Sequence, residues 1–395
     1  MKYSIIFLMF FKSAFAISQN IQQLTYYSEI LDQDRSLLIY TPSEFNYSLD
    51  RKFEVIYVLD AQNREMFDFV HSSLRFISNQ SNFIVVGIQS PYLEIEDKVY
   101  GRNHDMLPTA KDENVKDKYF GTNSNGNADN FMKHLEEEIF LLIQNNYRAL
   151  PFKLAVGHSN SATFLSHCFL EQPDMFDAYI IQSPNYAYDN EQLVKRFKSF
   201  DQNKIKKKKF FYLSNAGEKW DGWQESHVVV YSILQKIHSD KVHIIHRQFP
   251  ESEHWSSYSK SCLDGLSSFI DYQFHNAENV ISYHQYLAEN NIIELTPDHI
   301  NTMAYQCFWK HKPLEAIEII EWAITVFPNN DNLYDSRGEF YESIGNNEEA
   351  RESCEMAIEI LRTKEGSMDR DKFQNQLNIY QKNLDRVKAH NGKSP

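Results

Sequence analysis

Residues 153–165 run from a short apolar strand (Leu154, Ala155, Val156) through Gly157, His158, Ser159, Asn160 and Ser161 into a helix-period pattern. So abrupt a passage from strand to turn to helix leaves few architectures open. The strand belongs to a sheet with helices packed on its face, and the turn lifts a serine hydroxyl clear of the strand's C-terminal end. Strand and helix pass close together there, so the residues two before and two after the serine must be small. Gly157 and Ser161 meet that demand, with serine where glycine is usual.

The flanking sequence supplies such a sheet. Apolar runs at residues 35–42, 54–60, 82–88, 177–184, 210–214 and 242–249 read as strands, several of them apolar on both faces. Amphipathic stretches at 63–76 and 130–145 alternate with them, which predicts a mostly parallel α/β sheet. Residues 89–128 hold Gly101, Pro108, Gly121 and Gly126 and show no periodicity. They read as a long surface excursion on the side where strands deliver their C-terminal ends.

Near residue 298 the pattern changes. Ala304, Ala316 and Ala323 recur as Gly338, Ala350 and Ala357, each 34 residues later. Small residues at that period mark the crossings of paired antiparallel helices, the tetratricopeptide signature. Helical stretches at 278–290 and 373–387 supply further layers. The expected organisation is an α/β-hydrolase domain over 17–275 and an all-α repeat domain over 276–395.

Residues 1–16 form the remaining segment: Lys2, an apolar run from Ile5 to Phe11, then Ala14-Phe15-Ala16. That run is too short to cross a bilayer, and the ending suits cleavage after Ala16, so export is expected. No later apolar stretch is long enough to be a transmembrane segment. A net charge of −14 argues against nucleic acid and anionic membranes as partners. The basic run from Lys206 to Lys209 reads as a solvated loop at a strand entrance. Cys168, Cys262, Cys307 and Cys354 lie in helical contexts and read as small core residues rather than a disulfide framework. His243 and His246, three apart on a strand, face opposite sides, and no metal-ligand cluster is evident.

An exposed serine needs a base, itself oriented by an acid, and hydrolases of this topology place them in the order serine, acid, histidine. Beyond the strand at 210–214 a Gly217 turn carries Glu218, with Asp221 close behind. Beyond the strand at 242–249 comes His254. The expected catalytic set is Ser159, His254 and Glu218, with Asp221 as the alternative acid. His158 must point away from its neighbour and reads as packing. The oxyanion amides are expected from Asn160 and from Ala61 or Gln62 in the turn after the strand at 54–60.

Ile56-Tyr57-Val58-Leu59-Asp60-Ala61-Gln62, the Gly157-His158-Ser159 elbow, residues 171–176 with Ile181-Gln182-Ser183-Pro184, and Glu253-His254-Trp255-Ser256-Ser257 resemble a serine esterase family. That family includes enterochelin-esterase-like and esterase D-like hydrolases. Arg102, Asp105 and Pro108 resemble its R-x-x-D-x-x-P loop, which makes Arg102 and Asp105 candidate substrate contacts. A subgroup is similar in carrying C-terminal tetratricopeptide repeats. The resemblance implies cleavage of a small-molecule ester through an acyl-enzyme, without metal or organic cofactor, and repeats that offer a surface to a protein partner. Departures at Ser161 and at Ala61, where glycine is usual, keep a second reading in view: a catalytically inactive binding platform.

Overall fold

The computed structural model describes residues 20–391 apart from 48, 78–82, 92–93, 96–97, 100 and 122–123; the expected signal sequence lies outside the described residues. One sheet holds β1 (Ile21–Ser28), β2 (Gln33–Tyr40), β3 (Phe53–Val58), β4 (Ile84–Ile88), β5 (Ala149–His158), β6 (Ala178–Gln182), β7 (Lys209–Ala216) and β8 (Val242–Phe249). Its spatial order is β1-β2-β4-β3-β5-β6-β7-β8. The pairs β1/β2 and β2/β4 are antiparallel and the remaining neighbours parallel. β1 is not legible in the sequence. It is an edge strand with Gln22 and Gln23 exposed, so it lacks the continuous apolar run that a central strand needs.

Successive side chains enter opposite layers. Val55, Tyr57, Ala155, Tyr179 and Phe211 join one core, whereas Ile56, Val58, Leu154, Ile180 and Tyr212 join the other. The second layer is closed by α1 (Arg64–Ile77) through Phe67, Val70 and Leu74. The region expected to be a surface excursion instead contains α2 (Gly101–Met106) and α3 (Glu113–Phe120). Leu107, Ala110 and Phe120 pack with Tyr188 in a small core of their own. Helices of one or two turns are too short to display a 3.6-residue period, which is why the sequence hides them.

The first layer is closed by α4 (Ala128–His134), which passes through a π-turn at Leu135–Ile139 into α5 (Phe140–Asn146), and by α6 (Asn160–Glu171). α7 (Tyr188–Lys198), α8 (Trp223–Leu234) and α9 (Ser257–Phe274) complete the two layers. Lys209 is not solvated as expected. It is fully buried at the start of β7, its ammonium 2.9 Å from Asp174 and 3.9 Å from Asp177. Lys206, Lys207 and Lys208 are exposed. His243 stacks on Phe210 and Tyr272, while His246 meets His227 and Tyr231 on the other face. All four cysteines are buried and free.

The C-terminal region is helical: α10 (Ala277–Glu289), α11 (Pro297–Trp309), α12 (Pro313–Val326), α13 (Asp331–Ser343), α14 (Asn347–Thr363) and α15 (Arg370–Asn391). α11 and α13 begin at Pro297 and Asp331, α12 and α14 at Pro313 and Asn347, each pair offset by the same period. A Cβ on Gly338 would lie 3.0 Å from the Cys354 sulfur, so the helices cross there at the contact limit of a small residue. These helices rest on the strand ends remote from Ser159. Tyr283 packs on Phe152, reaches Glu54 at the start of β3, and Lys312 pairs with Asp271 at 2.7 Å. Among the described residues no helix is long and apolar enough to cross a membrane.

Candidate active site

Ser159 links β5 to α6 with φ 62° and ψ −126°, a conformation that side chains rarely adopt. Tertiary contacts hold it there. Its N–H donates to the Gln182 carbonyl at 2.9 Å, and its carbonyl accepts from Thr163 N–H at 3.0 Å. Ser161 explains its own presence where glycine is usual. Its hydroxyl accepts from His158 N–H at 2.9 Å and donates to the His158 carbonyl at 2.8 Å, clipping the elbow shut.

Gly157 has no such latitude: a Cβ would lie 2.8 Å from the Ser161 carbonyl oxygen and 3.0 Å from the Ala162 nitrogen. Those are backbone atoms, so strand and helix would have to separate. Gly157→Ala is expected to lower stability by roughly 1–3 kcal/mol, read as a reduced urea midpoint at unchanged m-value. An unaltered midpoint would show that the crossing is looser than the contacts imply.

The acid and base loops meet through Gly217, where a Cβ would lie 2.3 Å from the Pro250 carbonyl oxygen, and Gly217 N–H donates to the Ser252 carbonyl at 2.9 Å. This approach sets Glu218 Oε1 3.0 Å from His254 Nδ1, while Oε2 accepts from Ala216 N–H at 2.9 Å. The Glu218 side chain is fully buried. Burial alone would raise its pKa, but hydrogen bonds from His254 and Ser183 outweigh that and hold it below the usual glutamate value. Asp221 is exposed and forms no hydrogen bond or ion pair among the described residues.

With Nδ1–H assigned toward Glu218, His254 presents Nε2 as a free base. His158 Nε2 donates to the His254 carbonyl at 2.9 Å, and the two rings lie 4.5 Å apart. Burial first, and then the neighbouring imidazole, lower the His158 pKa to about 3, so that ring stays neutral and acts as packing. Ser159 and His254 are thus joined through His158. The Ser159 hydroxyl itself has no hydrogen-bond partner among the described residues. Such bonds are commonly long without substrate and tighten when one binds.

The Asn160 amide opens α6 and makes no backbone hydrogen bond among the described residues. Of the two amides expected opposite it, Ala61 is excluded, because its N–H already donates to the Ile88 carbonyl at 3.0 Å. The Gln62 N–H has no backbone partner among the described residues. The turn is fixed by Asp60, at φ 62° and fully buried. Asp60 accepts from Arg102 Nε at 2.5 Å, Arg102 Nη2 at 2.8 Å and Gln62 Nε2 at 2.9 Å.

Arg102 and Asp105, expected as substrate contacts, are both engaged by the protein's own groups. Arg102 Nη2 also donates to the His158 carbonyl at 3.2 Å, so this guanidinium ties the Gln62 turn to the elbow. Asp105 is buried beneath the site, 2.6 Å from Arg35, with both side chains 2% exposed. Burial pushes the Asp105 pKa up despite Arg35. Asp105→Asn leaves the buried Arg35 charge uncompensated and is expected to cost about 3–5 kcal/mol in chemical denaturation.

The sequence also concealed an aromatic wall. Trp220, Trp223 and Trp255 lie 4.8, 5.4 and 5.5 Å from the His254 ring, each edge-on. Three of the chain's five tryptophans gather at one imidazole. Only the adjacency of Trp255 to His254 was available as a signal.

The chain is similar in fold to an IroE-like serine hydrolase from Shewanella oneidensis, at 19% identity and TM-score 0.58 over 78% of this chain and 99% of that one. It is also similar to the siderophore hydrolase EstA from Aspergillus nidulans, at 15% identity and TM-score 0.53 over 66% of this chain and 99% of that one. A Capnocytophaga ochracea protein matches at 15% identity and TM-score 0.53 over 91% of this chain and 99% of that one. At these identities the likeness concerns the fold alone. No curated protein matches in sequence. The model of the family described as "Putative esterase" matches residues 28–248, more than half the chain, and takes in Ser159 and Glu218. The chain therefore belongs to this esterase family and is an ester-hydrolysing enzyme.

Proposed function

We propose that the protein is a serine carboxylesterase working through an acyl-enzyme. Ser159 Oγ attacks the ester carbonyl while His254 Nε2 takes its proton, and Glu218 holds the imidazole in the tautomer that allows this. The amides of Asn160 and Gln62 receive the developing oxyanion, aided by the positive end of α6. His254 then protonates the departing alcohol. Water, deprotonated by the same imidazole, cleaves the acyl-serine to release the acid.

The observation that carries this reading is the strained Ser159 backbone beside a buried His254–Glu218 pair at 3.0 Å. A fluorophosphonate probe is expected to label Ser159 in the wild-type protein and to leave Ser159→Ala unlabelled. A labelled alanine variant, or p-nitrophenyl acetate turnover that survives it, would remove the proposal.

Two further parts of the reading rest on sequence pattern. The α11–α14 pairs act as tetratricopeptide units that brace the hydrolase domain or present a face to a protein partner. The chain is exported after cleavage behind Ala16, so intact-mass analysis of protein from its native cell should give a mature chain beginning at Ile17.

A further inference from the structure

Trp220 and Trp255 are 53% and 62% exposed, although both rings pack against an imidazole that is itself 9% exposed. Indoles serving only to shield His254 would bury their own faces; these two leave broad apolar surface open beside it. Trp223 backs them, 4.8 Å from Trp220 and 7% exposed, with its Nε1–H buried and lacking a partner among the described residues.

The chemistry of the step says which half of an ester meets this wall. The histidine that accepts the serine proton returns it to the departing oxygen, so its ring lies beside the leaving alcohol rather than the acyl chain. Side chains flanking His254 therefore flank the alcohol. Indoles offer flat π faces and one donor each, with no acceptor, and two such exposed faces suit the face of a planar ring. Among the acceptors nearby, Glu218 is committed to His254 and Ala216 and Gln224 Oε1 to Asn215, while Asp221, between Trp220 and Trp223 in sequence, is exposed and unpaired among the described residues.

We propose that Trp220, Trp223 and Trp255 form a leaving-group subsite that selects esters of aromatic alcohols. The inference rests on the serine-esterase reading for its placement of the alcohol, but its test has an arm that needs no turnover.

Benzyl acetate and propyl acetate share an acyl group and have alcohols of comparable acidity, so their kcat/KM ratio reports recognition of the ring. The wild-type ratio is expected to favour the benzyl ester by about 10–100-fold, and each of Trp220→Ala and Trp255→Ala to reduce it roughly 2–10-fold, chiefly through KM. Trp309→Ala, on the remote helices, serves as the control and leaves the ratio unchanged. In the binding arm, benzyl alcohol is titrated into Ser159→Ala protein and followed by saturation-transfer NMR, with loss of the signal expected when Trp220→Ala is added. If Ser159→Ala kept its esterase activity, the serine reading would fail while the binding arm still judged the subsite. A benzyl-to-propyl ratio indifferent to both tryptophan changes, or a preference for acetylated sugars that disappears with them, overturns the subsite.

Discussion

Replacing Ser159 with alanine is expected to lower kcat for p-nitrophenyl acetate by roughly 10⁴–10⁶-fold while leaving the protein folded. The residue belongs to a set that acts as a unit, so losing the attacking oxygen forfeits nearly all of what the set contributes, and only oxyanion and binding effects persist. Stability should hardly change, because alanine keeps the Cβ and with it the strain at φ 62° and ψ −126°. Ser159→Gly separates the two effects. It is equally inactive, yet it relieves backbone strain worth about 1–3 kcal/mol and should melt at a higher temperature than the alanine variant. Equal melting of the two variants would mean that the elbow stores no strain.

Glu218→Gln is expected to lower kcat by about 10³–10⁴-fold with little change in KM. The amide fills the same buried space, but its NH₂ group faces His254 Nδ1 and favours the tautomer with the proton on Nε2. That tautomer cannot accept the serine proton. Asp221, exposed and unpaired among the described residues, should tolerate Asn with less than about a threefold effect. Reversal of these outcomes would move the orienting role to Asp221.

Glu218 also makes stability depend on pH. Its folded-state pKa lies below the ordinary value of 4.5, so its contribution is fully present above pH 4.5 and is lost as pH falls through the lowered value. Wild-type protein should therefore lose more stability between pH 5 and 3 than Glu218→Gln does. Parallel acid denaturation curves for the two proteins would count against the pairing.

Much of the fold was readable because it is written in local periodicity. Continuous apolar runs marked β4, β6 and β7, whose residues are buried on both faces, and the 34-residue recurrence of small residues falls within the helices α11 to α14. Elements lacking a periodic signature were missed: the polar edge strand β1, and the short helices α2 and α3, with Leu107 just after α2 and Phe120 of α3 packed against Tyr188 from across the chain.

The site divides in the same way. Spacing along the chain determined that Ser159 sits on a strand-to-helix turn, that an acid and His254 follow later strands, and that Gly157 must be small, since each is a property of neighbours in sequence. Strand register decided the rest. His158 pairs with Gln182, Gln182 with Ser214, and Ala216 with Phe249, and only this alignment carries the Glu218 loop to His254. The same packing committed the Ala61 amide to Ile88, buried Asp105 against Arg35, turned Arg102 into a tether, and assembled three indoles from two loops. A hydrogen bond between distant loops depends on where a sheet sets them down, and that placement is a property of the assembled structure rather than of any segment of the chain.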